Sequence, residues 1–230
     1  MLSKRLSAIA AEINTKSIID IGTDHAYIPI YTCQQGITNR AIACDINKGP
    51  LDIARKNIKS AGLEHMIETR LSNGFENVKP GEAESAILAG MGGHLIINIL
   101  KSASTVISKL EYLILQPQLD IPDVRRYIHK IAFKIDKERI IEDSGKIYNI
   151  IVCTKGNDEN YTEANYVIGK KLIENPCETF VKYLKKQINS LKKIEYSVKN
   201  ADSGGKARLL EVQNLINAYT DALKDVGYDY

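Results

Sequence analysis

The sequence is short of the residues that build metal centres, disulfide frameworks and membrane anchors. Its 230 residues hold only four cysteines and four histidines. Cys33, Cys44, Cys153 and Cys177 are widely scattered, with no pair at metal-ligand spacing, which argues against both a zinc site and disulfides. His25, His65, His94 and His129 are equally dispersed, and all but His25 read as ordinary surface or loop residues. No metal is expected. No run approaches the roughly 20 apolar residues of a membrane span, and Met1-Leu2-Ser3-Lys4-Arg5-Leu6 lacks the apolar stretch of a signal peptide. The expectation is a cytoplasmic protein, most simply a monomer. A net charge of +3 does not by itself announce a nucleic-acid partner.

What is present supports a folded core. The apolar fraction is 44%, and the length suits a large domain with an appendage. Up to about residue 155, short β-branched runs alternate with helical patterns, the mark of a parallel α/β sheet. The spacing predicts strands at 17–21, 41–46, 66–71, 85–89 and 112–116, with helices at 2–13, 48–61, 93–103 and 122–131 and one ending near Gly36. Two extended runs, 133–141 and 147–154, are joined by Glu142-Asp143-Ser144-Gly145-Lys146. That leaves no room for a crossover helix, so they pair as an antiparallel hairpin.

Gly156 to Asn160 reads as a polar linker, and everything beyond it is helical. Thr162 caps a helix expected to reach Asn175, where Pro176 forces a break. Val181, Leu184, Ile188, Leu191 and Val198 then recur at spacings of three and four, with Glu195 interrupting the row. After the turn Asp202-Ser203-Gly204-Gly205 comes a heptad seam of Leu209, Val212, Ile216, Tyr219, Leu223 and Val226. These features predict a coiled helical hairpin. From Asn165 to Asn200 eight lysines stand against three glutamates, a face that attracts phosphates or simply solvates a helix.

Chemistry collects at successive strand ends. Asp20-Ile21-Gly22-Thr23-Asp24-His25-Ala26-Tyr27 closes the first strand, and its glycine permits a tight turn toward a ligand. A dinucleotide site would need more glycines; here Asp24 and Ala26 take their places, and carboxylates suit ammonium and sulfonium charges better than phosphates. Asp45, at the end of the second strand, can accept ribose hydroxyls. Asn73-Gly74 follows the third strand, and Ala89-Gly90-Met91-Gly92-Gly93 brings bare backbone to the same edge. A helix cap at Asp45 and a plain turn at Asn73-Gly74 are the alternatives, but four coincidences are harder to accept than one cofactor site.

The stretches DIGTDHAYIP (20–29), AGMGG (89–93), LQPQ (115–118) and EDSGKIYNIIV (142–152) resemble the bacterial tRNA (adenine(22)-N(1))-methyltransferases over nearly the whole chain. The resemblance implies a class I methyltransferase, a Rossmann-like α/β fold with a seven-stranded sheet. It also implies S-adenosyl-L-methionine as methyl donor and an adenine of tRNA as acceptor. Asp20, Gly22, Asp24, His25, Asp45, Ile46, Asn73, Gly74, Gly90 and Met91 would then surround the donor. Many members carry Asp where Asn73 stands, and Asn where Gln118 stands. The expected division is a methyltransferase domain over residues 1–156 and a tRNA-binding helical hairpin over 161–230. Asp24 and Gln116 are the candidates for catalysis. Tyr27, Lys182, Lys185, Lys186, Lys192 and Lys193 are the candidates for holding RNA. The rivals are a methyltransferase for another RNA position or a small molecule, and a non-catalytic protein whose hairpin binds a protein partner.

Overall fold

The computed structural model describes residues 2–158, 161–200 and 205–230. The chain divides into two compact units, Met1–Glu159 and Asn160–Tyr230.

In the first unit, strands β1 (Ser17–Ile21), β2 (Arg40–Asp45), β3 (Ile67–Leu71), β4 (Ser85–Met91), β5 (Tyr112–Pro117), β6 (Phe133–Asp143) and β7 (Lys146–Lys155) form one sheet. Their order is β3-β2-β1-β4-β5-β7-β6. The first five pair in parallel. Central strands of such a sheet are covered on both faces, which is why Ile18, Ile19, Ile42, Ile87 and Leu88 are wholly buried. Helices α1 (Lys4–Ala10), α2 (Tyr27–Gln34) and α3 (Lys48–Ser60) pack on one another, as do α4 (Gly93–Lys101), α5 (Ser104–Ile107) and α6 (Ile121–Lys130). Right-handed crossovers send the two sets to opposite faces.

Strand β7 lies between β5 and β6, antiparallel to both. The hairpin is as expected, but its connection is much shorter: Ser144-Gly145 alone makes the turn, at φ 52° and 74°. Two left-handed residues give the twist that joins adjacent strands most directly. The expected opening helix is also shorter, because Ser3 caps it at one end and it stops at Ala10. The helix after β4 is interrupted before α5, a short element that the periodicity did not reveal.

The second unit contains α7 (Glu163–Ile168), α8 (Lys170–Glu174), α9 (Glu178–Lys199) and α10 (Lys206–Asp225). Thr162 and Asn165 form a reciprocal capping box. The single helix expected from there to Asn175 is broken at Gly169, whose φ of 105° is not helical. Helices α9 and α10 pair through the expected seam, with Leu184, Ile188, Val212, Tyr219 and Leu223 buried and Phe180 joining them. Glu195 is accommodated because Gln213 Nε2 donates to it at 2.9 Å and Lys199 pairs with it at 2.8 Å. Asp202, Ser203 and Gly204 of the expected turn, and Glu159 and Asn160 of the expected linker, lie outside the described residues. Asp158 from that linker is instead tied into the first unit. It accepts from the Ile135 N–H at 2.7 Å and meets His129 Nε2 at 3.1 Å.

One ion pair inside the first unit joins α6 to β6. Arg125 Nε donates to Glu138 Oε1 at 2.7 Å, with both side chains almost wholly buried. Removing one member leaves a buried charge uncompensated, which costs about 3–5 kcal/mol. Glu138→Ala should therefore lower stability by about that much in urea unfolding, whereas Arg125→Met/Glu138→Leu together should recover most of it. A single variant as stable as wild type would show that the pair does not hold α6.

Candidate functional site

The carboxyl ends of β1, β2 and β4 border a cleft where the strand order reverses, the place where open α/β sheets bind ligands. Strand β1 delivers Asp20 to its floor and then turns at Gly22, φ 72°. The N–H groups of Gly22 and Thr23 both donate to the Cys44 carbonyl at 2.9 Å. The positive φ of Gly22 is the conformation that requires glycine, and the flexible end of the Met91 side chain, Cε, lies over it.

Asp45 ties two loops together. Its Oδ2 accepts from the Asp24 N–H at 3.1 Å and its Oδ1 from the Asn47 N–H at 2.9 Å. These bonds help to hold Asp24 in a left-handed conformation, φ 54°. A carboxylate has about four acceptor sites, so two remain for a ligand. Ile46 and Leu71, at the ends of β2 and β3, are 60% and 51% exposed. Such apolar surface beside a carboxylate suits a nucleoside, whose base is flat and whose ribose is polar.

Asp20 is 5% exposed and accepts from the Thr23 hydroxyl at 2.7 Å. Burial raises its pKa to about 6; the Thr23 hydrogen bond opposes the shift and the Asp45 charge adds to it. Asp24 and Tyr27 are exposed at the cleft wall. His25 Nε2 stands 3.3 Å from Asp24 Oδ1, and the His25 ring is 5.4 Å from that of Tyr27. Asn73 is exposed and its amide donates to Glu76 Oε1 at 2.8 Å, while Gly74 beside it is buried.

At the end of β4, Gly90 (φ 78°) lies at a register shift in the pairing with β5, between Ala89 and Met91. Gln116, a candidate for catalysis, is fully buried, with Oε1 accepting from Arg5 Nη1 at 2.8 Å and Nε2 donating to the Pro117 carbonyl at 3.2 Å. Gln116 lies a layer beneath the surface, and Arg5 lines the cleft in front of it. Nothing in the local sequence marks Arg5 as functional, because its partner lies 111 residues away.

The remaining candidates are elsewhere. Lys182, Lys185, Lys186, Lys192 and Lys193 are all exposed on α9 in the second unit. Lys185 and Lys192 lie over the rings of Tyr228 and Tyr230, at 5.9 Å and 3.9 Å. His94 is drawn to Asp123 and Asp120, at 3.0 Å and 3.4 Å. Among the described residues no group of His, Cys, Asp and Glu is placed to hold a metal ion.

The donor set fits S-adenosylmethionine. Asp20 and Asp24 repel phosphate and attract ammonium, Asp45 keeps acceptors for a ribose, and the flanking side chains are apolar. Comparison with known proteins agrees. The family model for tRNA (adenine(22)-N(1))-methyltransferase matches residues 18–220. The protein of that name from Bacillus subtilis (strain 168) is 32% identical over 206 residues, 87% of each chain. A Streptococcus pneumoniae structure in complex with S-adenosyl-L-methionine superimposes with a TM-score of 0.88 at 30% identity, covering 97% of this chain and 100% of that one. An M. capricolum structure in complex with S-adenosyl-homocysteine gives 0.87 at 33% identity, covering 98% and 99%. By this match and these similarities, the chain belongs to the tRNA (adenine(22)-N(1))-methyltransferase family.

Proposed function

We propose that this protein methylates N1 of adenine 22 in cytoplasmic tRNA, with S-adenosylmethionine as the donor. The observation that carries the reading is the acidic cleft at the end of β1, in a chain matched to that family over residues 18–220.

When bound, the donor supplies an electrophilic methyl group on a sulfonium. Asp45 would hold the ribose hydroxyls, the exposed Ile46 and Leu71 would flank the base, and Asp20 and Asp24 would attract the positive charges. Adenine N1 carries a free lone pair at neutral pH and needs no general base. The protein's task is then to align the acceptor with the methyl group, after drawing the base out of its stack. The site agrees with that division. His94 is engaged by Asp120 and Asp123, and Cys33, Cys44 and Cys153 are buried, Cys44 with its thiol pKa pushed up to about 12 by burial. Gln116 supports the site from below, and Tyr27 offers an exposed ring at its wall. The lysines of α9 supply the sequence-independent attraction for the tRNA backbone.

Asp45→Ala should weaken S-adenosylhomocysteine binding about ten- to a hundredfold, the worth of a charged hydrogen bond. Isothermal titration calorimetry measures it, and an unchanged affinity in a folded variant removes Asp45 from the ribose.

The raised pKa of Asp20 gives the pH dependence a sign. A cationic ligand favours the carboxylate, so donor affinity should be full above pH 6 and weaken as pH falls through about 6, when Asp20 takes a proton. Asp20→Asn should abolish that dependence. At saturating donor the single-turnover rate should stay nearly flat across the same range. A unit-slope loss of rate toward acid, abolished by Asp24→Asn, would reveal a general base and overturn this mechanism.

Replacing Lys182, Lys185, Lys186, Lys192 and Lys193 by glutamine should weaken tRNA binding and flatten its salt dependence, since a face that neutralises fewer phosphates releases fewer counterions. Donor affinity should not change. Equal salt slopes for variant and wild type would assign the hairpin another role.

A further inference from the structure

Helix α10 ends in a way that turns the chain back over α9. Gly227 adopts a φ of 84°, its N–H donates to the Lys224 carbonyl at 2.8 Å, and the Tyr228 N–H donates to the Leu223 carbonyl at 3.0 Å. This pair of bonds is a Schellman closure, whose left-handed residue glycine supplies without strain. The segment that follows lays two tyrosine rings on α9. The Tyr228 ring lies 5.9 Å from Lys185 Nζ, and the Tyr230 ring 3.9 Å from Lys192 Nζ. The Tyr230 hydroxyl donates to Asn189 Oδ1 at 2.7 Å. Lys185, Asn189 and Lys192 succeed one another at spacings of four and three, so they form one stripe along the helix.

These rings add nothing to the seam. Tyr219 and Leu223 of α10 are buried in the hairpin, whereas Tyr228 and Tyr230 stay 47% and 49% exposed. Each ring carries an ammonium against its π system on one side, and half of its surface remains open. Asn189 and the lysines hold the rings in place beforehand, so a ligand that stacks on them orders little on binding. The surroundings select that ligand. Lys182, Lys186 and Lys193 are exposed on the same helix, and Asp229 is the only acid between Val226 and Tyr230. Lysine is depleted from protein–protein interfaces, so a protein partner fits this surface poorly. Single-stranded nucleic acid fits it well: cations follow the phosphates while unpaired bases stack on aromatic rings.

We propose that Tyr228 and Tyr230 form a stacking platform for unpaired bases of the RNA, with Lys185, Asn189 and Lys192 as its positioning residues. The assignment rests on the reading of the α9 lysines as the RNA-binding face, and it adds a contact to the bases that those lysines do not make.

The test compares two probes of equal length and charge, an unstructured oligoadenylate and its abasic ribose-phosphate counterpart, by fluorescence anisotropy with the full chain. Wild type should bind the oligoadenylate about ten- to a hundredfold more tightly, the range expected when one or two bases stack on aromatic side chains. Tyr228→Leu/Tyr230→Leu should lose most of that preference while keeping the abasic affinity and its salt slope near wild type. Tyr228→Phe should retain the preference, because a phenyl ring still stacks. Tyr230→Phe, which loses the bond to Asn189, should fall between.

A wild type that binds both probes equally would overturn the platform and leave the lysine reading standing. So would a double leucine variant that keeps the preference, or one that weakens both probes alike. Failure of wild type to bind either probe at low salt would overturn the RNA reading of α9 and the platform with it, and would return the surface to a protein partner.

Discussion

The cleft exists because β1 has parallel neighbours on both sides while the chain leaving it can pack over only one of them. Helix α2 crosses to β2, whereas the helix after β4 turns away over β5 on the other face. The gap between them opens above the carboxyl end of β1, where the main chain must turn sharply, and Gly22 makes that turn at a positive φ. Hydrogen bonds that leave the loop for β2, from Gly22 and Thr23 to Cys44 and from Asp24 to Asp45, convert a steric gap into a defined site. Asp45 is thus structural and ligand-facing at once. Its two backbone bonds fix the carboxylate before any ligand arrives, so little ordering remains to be done on binding.

The reversed strand shapes the other side. Inserting β7 between β5 and β6 brings the tight Ser144-Gly145 turn to the same edge of the sheet as the ends of β1 and β4. Asp143 and Tyr148 flank that turn and reach Arg5. Past the end of α1, Glu12 pairs with Lys137 and Arg139 of β6, at 2.9 Å and 2.7 Å. The N-terminal segment is thereby anchored at two places along one strand, and a residue near the start of the chain is held over β5.

Much of this was legible in the sequence, and the failures have physical causes. Strand ends were readable because buried parallel strands are continuous apolar runs, and Asp20, Gly22 and Asp45 interrupt or close them. The hairpin was readable from its short connection. The placement of β7 between β5 and β6 was not, since strand order is fixed by pairing across the sheet rather than along the chain. The break at Gly169 was missed because the Thr162 cap and Pro176 suggested one uninterrupted helix, while a positive φ leaves no trace in apolar periodicity. Gln116 is a candidate for catalysis from its place at a strand end. Whether such a residue faces the cleft or supports it depends on what covers it, and the covering residue, Arg5, comes from the other end of the fold.

Buried charge in the first unit follows a contrast that separates scaffold from site. Arg125 and Glu138 are enclosed with each other, and Glu12 is buried against two cations. Burial of an ion is tolerable when a counter-charge and hydrogen bonds replace water. Among the described residues the Asp20 side chain meets only a hydroxyl, and burial, with the Asp45 charge adding to it, raises its pKa to about 6. Arg5 has an amide and a ring but no carboxylate on its guanidinium among the described residues. Two incompletely compensated groups of opposite sign line one cleft without meeting each other. Had they closed into a salt bridge, each would have removed the other's attraction for a ligand. Gln116 accepts from Arg5 and Thr23 donates to Asp20, so each charge is held by a neutral hydrogen-bond partner. The electrostatics withheld from the fold are what the site has to offer.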